Sequence, residues 1–481
     1  MIFSSYEFIF VFLPITFLVY FFLVGRRLLQ AARVWLVLSS LFFYGWWDVN
    51  YLPLILGSML FNFALGAELA RPFNVRRKKG IERKGLLVFG IAANLGLLGY
   101  FKYVDFFLVN FNVLFDVGLG LTSIALPLAI SFFTFQQIAY LVDCYRCEVK
   151  ESDFLSYALF VTFFPQLIAG PIVHHKEMMP QFASRWNAVK RYRNVALGLF
   201  VFSIGLFKKV VVADTFAVWA TAGYDGGVAL SFTEAWATSL SYTFQLYFDF
   251  SGYTDMAIGI ALLFNIRLPI NFYSPYKALS IQDFWRRWHI TLSRFLRDYL
   301  YIPLGGSRQG KVRMYINLFV TFLLGGLWHG ASWMFVLWGA MHGVALVLHR
   351  FWQNMGVSLP NWFAWVLTFN FVNATWVLFR APDMASALTV YRGMLGVSSW
   401  QLAPLPDWPR SFVVGVTRYY EHFETWLWVS LALLAVLCLN NSAHYLRGWR
   451  MEMRHALLAG LSLAFSISQL SSYSEFIYFN F

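Results

Sequence analysis

Two histidines and a run of arginines are the residues whose types and spacing suit chemistry in this 481-residue sequence. His329 stands in MYINLFVTFLLGGLWHGASWMFVLWGAMHG (314–343), sixteen residues past Arg313. At 1.5 Å per residue that is roughly 24 Å of helix. A neutral imidazole, with an ordinary pKa of about 6.5, can take a proton from a hydroxyl near neutral pH. An ionisable ring at membrane depth is costly unless it is paired or lines a polar cavity, so it marks a candidate site. The competing reading is a histidine bonding across a close helix interface. Gly325, Gly326, Gly330 and Ser332 are small and, on a continuous helix, share its side and leave space beside the ring. His342 falls about 220° round such a helix and points elsewhere. With His349 it is expected to be structural or interfacial.

The second histidine lies in DFWRRWHITLSRFLRDYLY (283–301). Helical periodicity puts Trp285, Trp288, Leu292, Phe295 and Leu296 on one face with His289. Two readings of Arg286, Arg287, Arg294 and Arg297 stay open. They anchor an interfacial helix to lipid headgroups, or together with Trp288 they bind an anionic donor, since guanidinium forks grip phosphates and stack on adenine-like rings. The following PLGGSRQGKVR (303–313) ends the helix at Pro303, Gly305 and Gly306.

The elements that position these residues must cross a membrane. Only 13% of residues are charged, against about 25% in soluble domains, and 59% are hydrophobic. No water-soluble core needs so much apolar surface. Apolar segments occur at 7–24, 52–68, 86–101, 119–142, 195–207, 314–348 (room for two passes) and 425–439. The expectation is an all-α polytopic domain spanning 1–481, with roughly ten to twelve membrane helices, some re-entrant. The first segment lacks a basic flank before it and a small-residue cleavage site after it, so it is expected to stay on the protein.

The net charge of +13 comes from short loops, clearest at Arg71, Arg76, Arg77, Lys78, Lys79, Arg83 and Lys84. Positive loops stay cytoplasmic and meet anionic lipid, which places the N-terminus outside and argues against nucleic acid as a partner. The stretches 171–194 and 400–422, with Pro404, Pro406, Pro409, Arg410 and Arg418 in the latter, read as extra-membrane loops. Cys144 and Cys147 form a CxxC without a second ligand cluster, so no metal is expected. Gln136, Gln137, Asp143, Gln245, Asp249, Ser251, Tyr253 and Asp255 are polar residues inside or at the ends of apolar segments. Most are expected to bond between helices. Gln136, Asp249, Ser251 and Tyr253, with Gly326 and Ser332, are the candidates for lining a tunnel.

DFSGYTD (249–255), FWRRWHITLSRFLRDYLYIPLGG (284–306) and LLGGLWHGASWMFVLWGAMHG (323–343) closely resemble the membrane-bound O-acyltransferase family. PLAISFFTFQQIAYLVDCYR (127–146), FFPQLIAGPI (163–172), the opening MIFSSYEFIFVFLPI and the closing FIYFNF are similar to its bacterial polysaccharide branch. The resemblance therefore covers essentially the whole chain. It implies a fold with a central tunnel in the bacterial inner membrane. It also implies that His329 matches the family's invariant histidine and His289, forty positions earlier, its second polar residue. The implied reaction carries an acetyl group from a cytoplasmic thioester, acetyl-CoA, to a hydroxyl for O-acetylation of an exopolysaccharide such as alginate or cellulose. Acetyl-CoA is a co-substrate and no cofactor is implied. His329 would act as base, directly or through a relay, His289 would hydrogen-bond the thioester or oxyanion, and Arg286, Arg287 and Arg294 would hold donor phosphates. A periplasmic SGNH-hydrolase-like acetyltransferase partner would complete delivery. Against this stand a transporter or flippase, which would use the polar residues as a path, and a non-catalytic scaffold.

Overall fold

The computed structural model describes residues 1–71, 82–149, 153–397 and 412–470. The basic residues Arg76 to Lys79, most of the 400–422 loop and the closing FIYFNF lie outside them. Among the described residues the regular elements are all helical, as the composition requires: with no water in a bilayer, only a helix pairs every backbone group within its own segment.

The N-terminal part comprises α1 (Leu13–Gly25), α2 (Leu29–Gly45), α3 (Leu52–Ala70) and α4 (Arg83–Leu98). A π-helical turn, Gly99–Tyr103, joins α4 to α5 (Val104–Phe115), and α6 (Ile130–Tyr145), α7 (Phe154–Thr162), α8 (Phe164–Leu167) and α9 (His175–Ala183) follow. The central part holds α10 (Tyr192–Phe207), another π-helical turn at Lys208–Ala213, α11 (Asp214–Asp225) and the 32-residue α12 (Phe232–Leu263). Then come α13 (Ile281–Trp285), α14 (Ile290–Leu296), α15 (Lys311–His329), α16 (Trp333–Asn354), α17 (Asn361–Arg380), α18 (Met384–Met394), α19 (Phe412–Cys438), α20 (Ser442–Gly448) and α21 (Met453–Gln469).

Among the described residues, seven helical stretches are long and apolar enough to cross a membrane: Phe8–Gly25, Val49–Ala70, Arg83–Phe115, Tyr192–Asp225, Trp333–Asn354, Asn361–Arg380 and Phe423–Gly448. The expected ten to twelve is reached only by adding shorter or more polar helices such as α2, α12 and α15. The 119–142 segment is not one helix. α5 ends with Asp116 in a left-handed conformation (φ 51°), and residues 117–127 carry no regular structure. Two backbone donors there, Thr122 and Ser123, are held instead by the Asp105 carboxylate at 2.7 and 3.0 Å.

α12 is the axle of the fold. Ser231 and Glu234 form a capping box at its start, and nearly all of its side chains are buried. It packs on α10 because each helix puts glycine at the crossing. A Cβ on Gly205 would meet the Gly252 carbonyl at 2.6 Å, and one on Gly198 would meet the Gly259 carbonyl at 2.6 Å. Small residues let backbones approach in lipid, where apolar side chains alone give no driving force. Two lysines complete the joint, Lys209 buried and Lys208 partly buried. Lys208 pairs with Asp255 (2.7 Å), whose other oxygen accepts from Ser442 (2.6 Å), and Lys209 pairs with Asp249 (2.9 Å) and Asp214 (2.6 Å).

Candidate active site

α15 and α16 form an antiparallel hairpin that ends the helix at His329. A Cβ on Gly326 would collide with the Phe335 carbonyl and lie 2.8 Å from the Gly339 Cα, and one on Gly330 would collide with the Phe335 ring. Gly326 and Gly330 thus seat α16 against α15 and hold no space open beside the ring, whereas Gly325 borders the cavity that reaches His329. The chain turns extended at Gly330 (φ −164°, ψ 152°), so His329 and His342 do not share a continuous helix. His342 is fully buried and bonded on both nitrogens: Trp285 Nε1–H donates to Nδ1 (3.2 Å), and Nε2 meets Thr375 Oγ1 (3.1 Å). That is the structural role expected of it.

The 283–301 segment is broken where a single helix was expected. α13 stops at Trp285, and His289 adopts a left-handed conformation (φ 42°, ψ 53°) before α14 begins. The break is fixed from Asn271. Its carbonyl accepts from Ile290 N–H (3.0 Å), while its Oδ1 accepts from Thr291 N–H (3.2 Å) and Thr291 Oγ1 (2.9 Å). A backbone N–H can only donate, so the side-chain atom it meets is oxygen. His289 Nδ1, 3.1 Å from that oxygen, must therefore carry the proton. The neutral ring then presents Nε2 as a lone pair, and this nitrogen is buried without a protein partner. In this tautomer Nε2 has a lone pair and no hydrogen, so it is not the donor to a thioester or oxyanion that the resemblance implies.

Both imidazoles lie against the Trp328 indole, His329 at 5.0 Å and His289 at 6.4 Å between ring centroids. The residues forty apart in sequence are thus brought to one place. Trp338 and Phe379 pack edge-on to His329 at 5.2 and 5.1 Å. A cavity of about 480 Å³ leads to it, with Arg286, Arg294, Arg297 and Arg350 on its wall and Gly325, His329 and Trp338 among its other lining residues. His329 is buried, whereas Arg286 and Arg297 are exposed, so the arginines stand toward the mouth and the histidine toward the inner end. A larger apolar cavity, about 650 Å³, lies between α10, α19 and α21 and contains neither histidine.

The arginines differ in availability. Arg287 bonds Asp283 (2.9 Å), Arg294 grips Glu177 with both terminal nitrogens (2.7 and 3.0 Å), and Arg297 holds Asp298 (2.7 Å). Trp288 is in the core between Phe272 and Trp376, each 5.0 Å away, and has no face left for a ligand ring. Arg350 was not foreseen. It comes from the far end of α16, and the hairpin folds it back beside α14. The other tunnel candidates stand elsewhere. Asp249 is in the Lys209 ion pair, Tyr253 stacks on Phe3 (4.8 Å), Ser251 and Gln136 are buried on α12 and α6, Gly326 is in the hairpin contact, and Ser332 precedes α16 in extended conformation. None of them is on the wall of the His329 cavity.

Beside the mouth, His174 and His175 are buried, although their stretch reads as a surface loop. Tyr299 donates to Asp143 Oδ1 (2.8 Å) and lies 3.0 Å from His174 Nδ1. Burial, followed by the Arg294 charge, pulls the His174 pKa from 6.5 to about 4. Cys144 is buried and Cys147 exposed, both as free thiols.

A polytopic helical bundle with a buried histidine at the inner end of an arginine-mouthed cavity defines a membrane-embedded transfer enzyme. The chain belongs to the membrane-bound O-acyltransferase family, whose model matches residues 124–382, and it is an acyltransferase. It is 49% identical over 526 aligned residues to a peptidoglycan O-acetyltransferase of Helicobacter pylori, covering 100% of this chain and 98% of the relative. It is 42% identical to a probable alginate O-acetylase of Pseudomonas aeruginosa (84% of this chain, 77% of the relative). A teichoic acid D-alanyltransferase of Bacillus subtilis matches at 28% identity (51% of this chain, 66% of the relative).

Proposed function

We propose that this chain moves an acetyl group from acetyl-CoA to a hydroxyl, for O-acetylation of a cell-envelope polysaccharide. The observation that carries the proposal is the single cavity joining exposed arginines to His329. The donor's phosphates sit at Arg286 and Arg350, on the cytoplasmic face of the inner membrane, with the N-terminus periplasmic. Its thioester reaches inward to His329. The hydroxyl oxygen forms a bond to the acyl carbon and the carbon–sulfur bond breaks. The hydroxyl proton passes to His329 and from there to the leaving thiolate. His289 Nε2 accepts a hydrogen bond from a water whose other hydrogen goes to the incoming hydroxyl oxygen, and so orients that oxygen while its own proton points to His329.

Among acceptors, peptidoglycan is preferred to alginate, because the relative that acts on peptidoglycan is similar over the whole chain at the higher identity. A periplasmic hydrolase-like acetyltransferase receives the group and places it on the glycan. In detergent, the purified protein should release free thiol from acetyl-CoA, and His329→Ala should abolish the release with an unchanged melting temperature. Release at the wild-type rate from folded His329→Ala would remove the histidine from the chemistry. Muropeptide analysis of a deletion strain decides the acceptor: loss of O-acetyl groups from peptidoglycan supports this reading, and their retention refutes it.

A further inference from the structure

The C-terminus of α15 poses a problem of its own. The last carbonyls of a helix have no acceptor role within it, and here the chain leaves in an extended conformation, without the turn that would satisfy them. The carbonyls of Leu327, Trp328 and His329 would be orphaned in a water-poor site, where each unpaired group is expensive. They are not orphaned. Tyr103 Oη donates to the Leu327 carbonyl (2.8 Å), and Lys102 Nζ donates to those of Trp328 (2.6 Å) and His329 (3.3 Å). The third donor of the ammonium goes to Ser131 Oγ on α6 (3.2 Å). An ammonium has three donors, and all three are used.

Both residues belong to the π-helical turn between α4 and α5, inside the apolar stretch Arg83–Phe115. Such turns occur as local insertions and often mark functional sites. The cation also stands at the negative end of the α15 dipole and 5.8 Å from the Trp328 ring that carries both histidines. We infer that Lys102 and Tyr103 are positioning residues for the transfer reaction: they clamp the end of α15 so that the His329 imidazole stays at the inner end of the cavity. The inference rests on the proposed role of His329. Neither residue lines the donor cavity, so the clamp acts on the chemical step and leaves donor binding alone.

The test is steady-state acetyl transfer by purified full-length protein, with kcat and donor KM determined separately for Lys102→Met, Lys102→Arg, Tyr103→Phe and His329→Ala. A displacement of about 1 Å at the reacting group costs on the order of 100-fold, so Lys102→Met should lose about that much kcat with donor KM unchanged. Lys102→Arg keeps the charge and donors and should recover part of the loss. Tyr103→Phe, which removes one hydroxyl and no charge, should lose about five-fold in kcat, the equivalent of one bond. Wild-type kcat in Lys102→Met, a rise in KM matching its fall in kcat, or equal losses in the Met and Arg variants would overturn the inference. If Lys102→Met does not accumulate, Tyr103→Phe decides, and wild-type kcat there overturns it. An active His329→Ala would instead refute the role of the histidine itself, which keeps the two failures apart.

Discussion

Replacing Asn271 by leucine separates what holds the fold from what prepares His289. The Oδ1 of Asn271 accepts three hydrogen bonds, from His289 Nδ1–H, Thr291 N–H and Thr291 Oγ1. At about 1 kcal/mol net per bond, Asn271→Leu should cost about 3 kcal/mol of stability. It also frees the His289 proton. The bond that holds it on Nδ1 is worth about 1 kcal/mol, roughly a five-fold preference of one tautomer over the other. Loosening the ring adds a positional loss, so kcat should fall by about 10- to 100-fold. Thr291→Val is the companion change. It removes the bond to Asn271 and the one accepted from Ile172 N–H (3.1 Å), about 2 kcal/mol, but leaves His289 on Asn271. Its melting temperature should drop nearly as far, with kcat lowered less than about three-fold. Melting curves and thioester-dependent transfer rates, measured on the same purified samples, provide the comparison. Equal loss of kcat in the two variants would show that the tautomer does not matter and that both changes act through general destabilisation.

Among the arginines of the mouth, Arg286 has no acidic partner among the described residues, so Arg286→Ala should raise donor KM by about ten-fold. Arg287→Ala, already committed to Asp283, should raise it less, and a donor titration with equal KM shifts would contradict the ranking. Lys209→Met leaves buried carboxylates uncompensated and should cost about 3–5 kcal/mol. Lys176→Met, which breaks an exposed pair with Glu148, should cost roughly 0–1 kcal/mol; similar thermal stabilities for the two would refute the assignment. For His174 the folded pKa, about 4, lies below the ordinary 6.5, so the unfolded chain takes up the proton first. Stability should therefore fall as pH drops from about 6.5 toward 4. His174→Gln should flatten that part of the melting-temperature profile, and an unchanged slope would exclude the residue as its source.

The hydropathy of the chain made the membrane bundle legible, because a run of apolar residues has one physical use at that length. His329 was legible for the converse reason, a titratable ring amid such a run. The arginine-rich segment announced a helix but not its interruption. Left-handed geometry at His289 is imposed from Asn271, eighteen residues upstream, and nothing in the local periodicity reports a partner that far away. The same limit hid the fate of polar residues. Asp249 read as a wall of a tunnel because Lys209, its counter-ion, lies forty positions earlier on a helix whose contact with α12 depends on matched glycines. Gly326 read as empty space because a missing side chain looks the same in sequence whether lipid, ligand or another backbone fills it. Arg350 went unnoticed since only the hairpin brings it next to α14.

These misreadings share a cause that also bears on how the site works. In water, a helix end or a break can be solvated wherever it falls. In a bilayer it cannot, and every interrupted backbone must find its donors and acceptors in protein. His329 ends a helix and His289 sits in a break, so each stands where the backbone is least self-sufficient. The side chains that repair those gaps, Lys102 and Tyr103 at one and Asn271 at the other, are thereby tied to the two imidazoles. Asn271 binds His289 on its ring nitrogen, and Lys102 binds the peptide carbonyl of His329 itself. Solvating the backbone and fixing the rings are one set of bonds, so changes that spare both histidines but cut this set should still abolish efficient transfer.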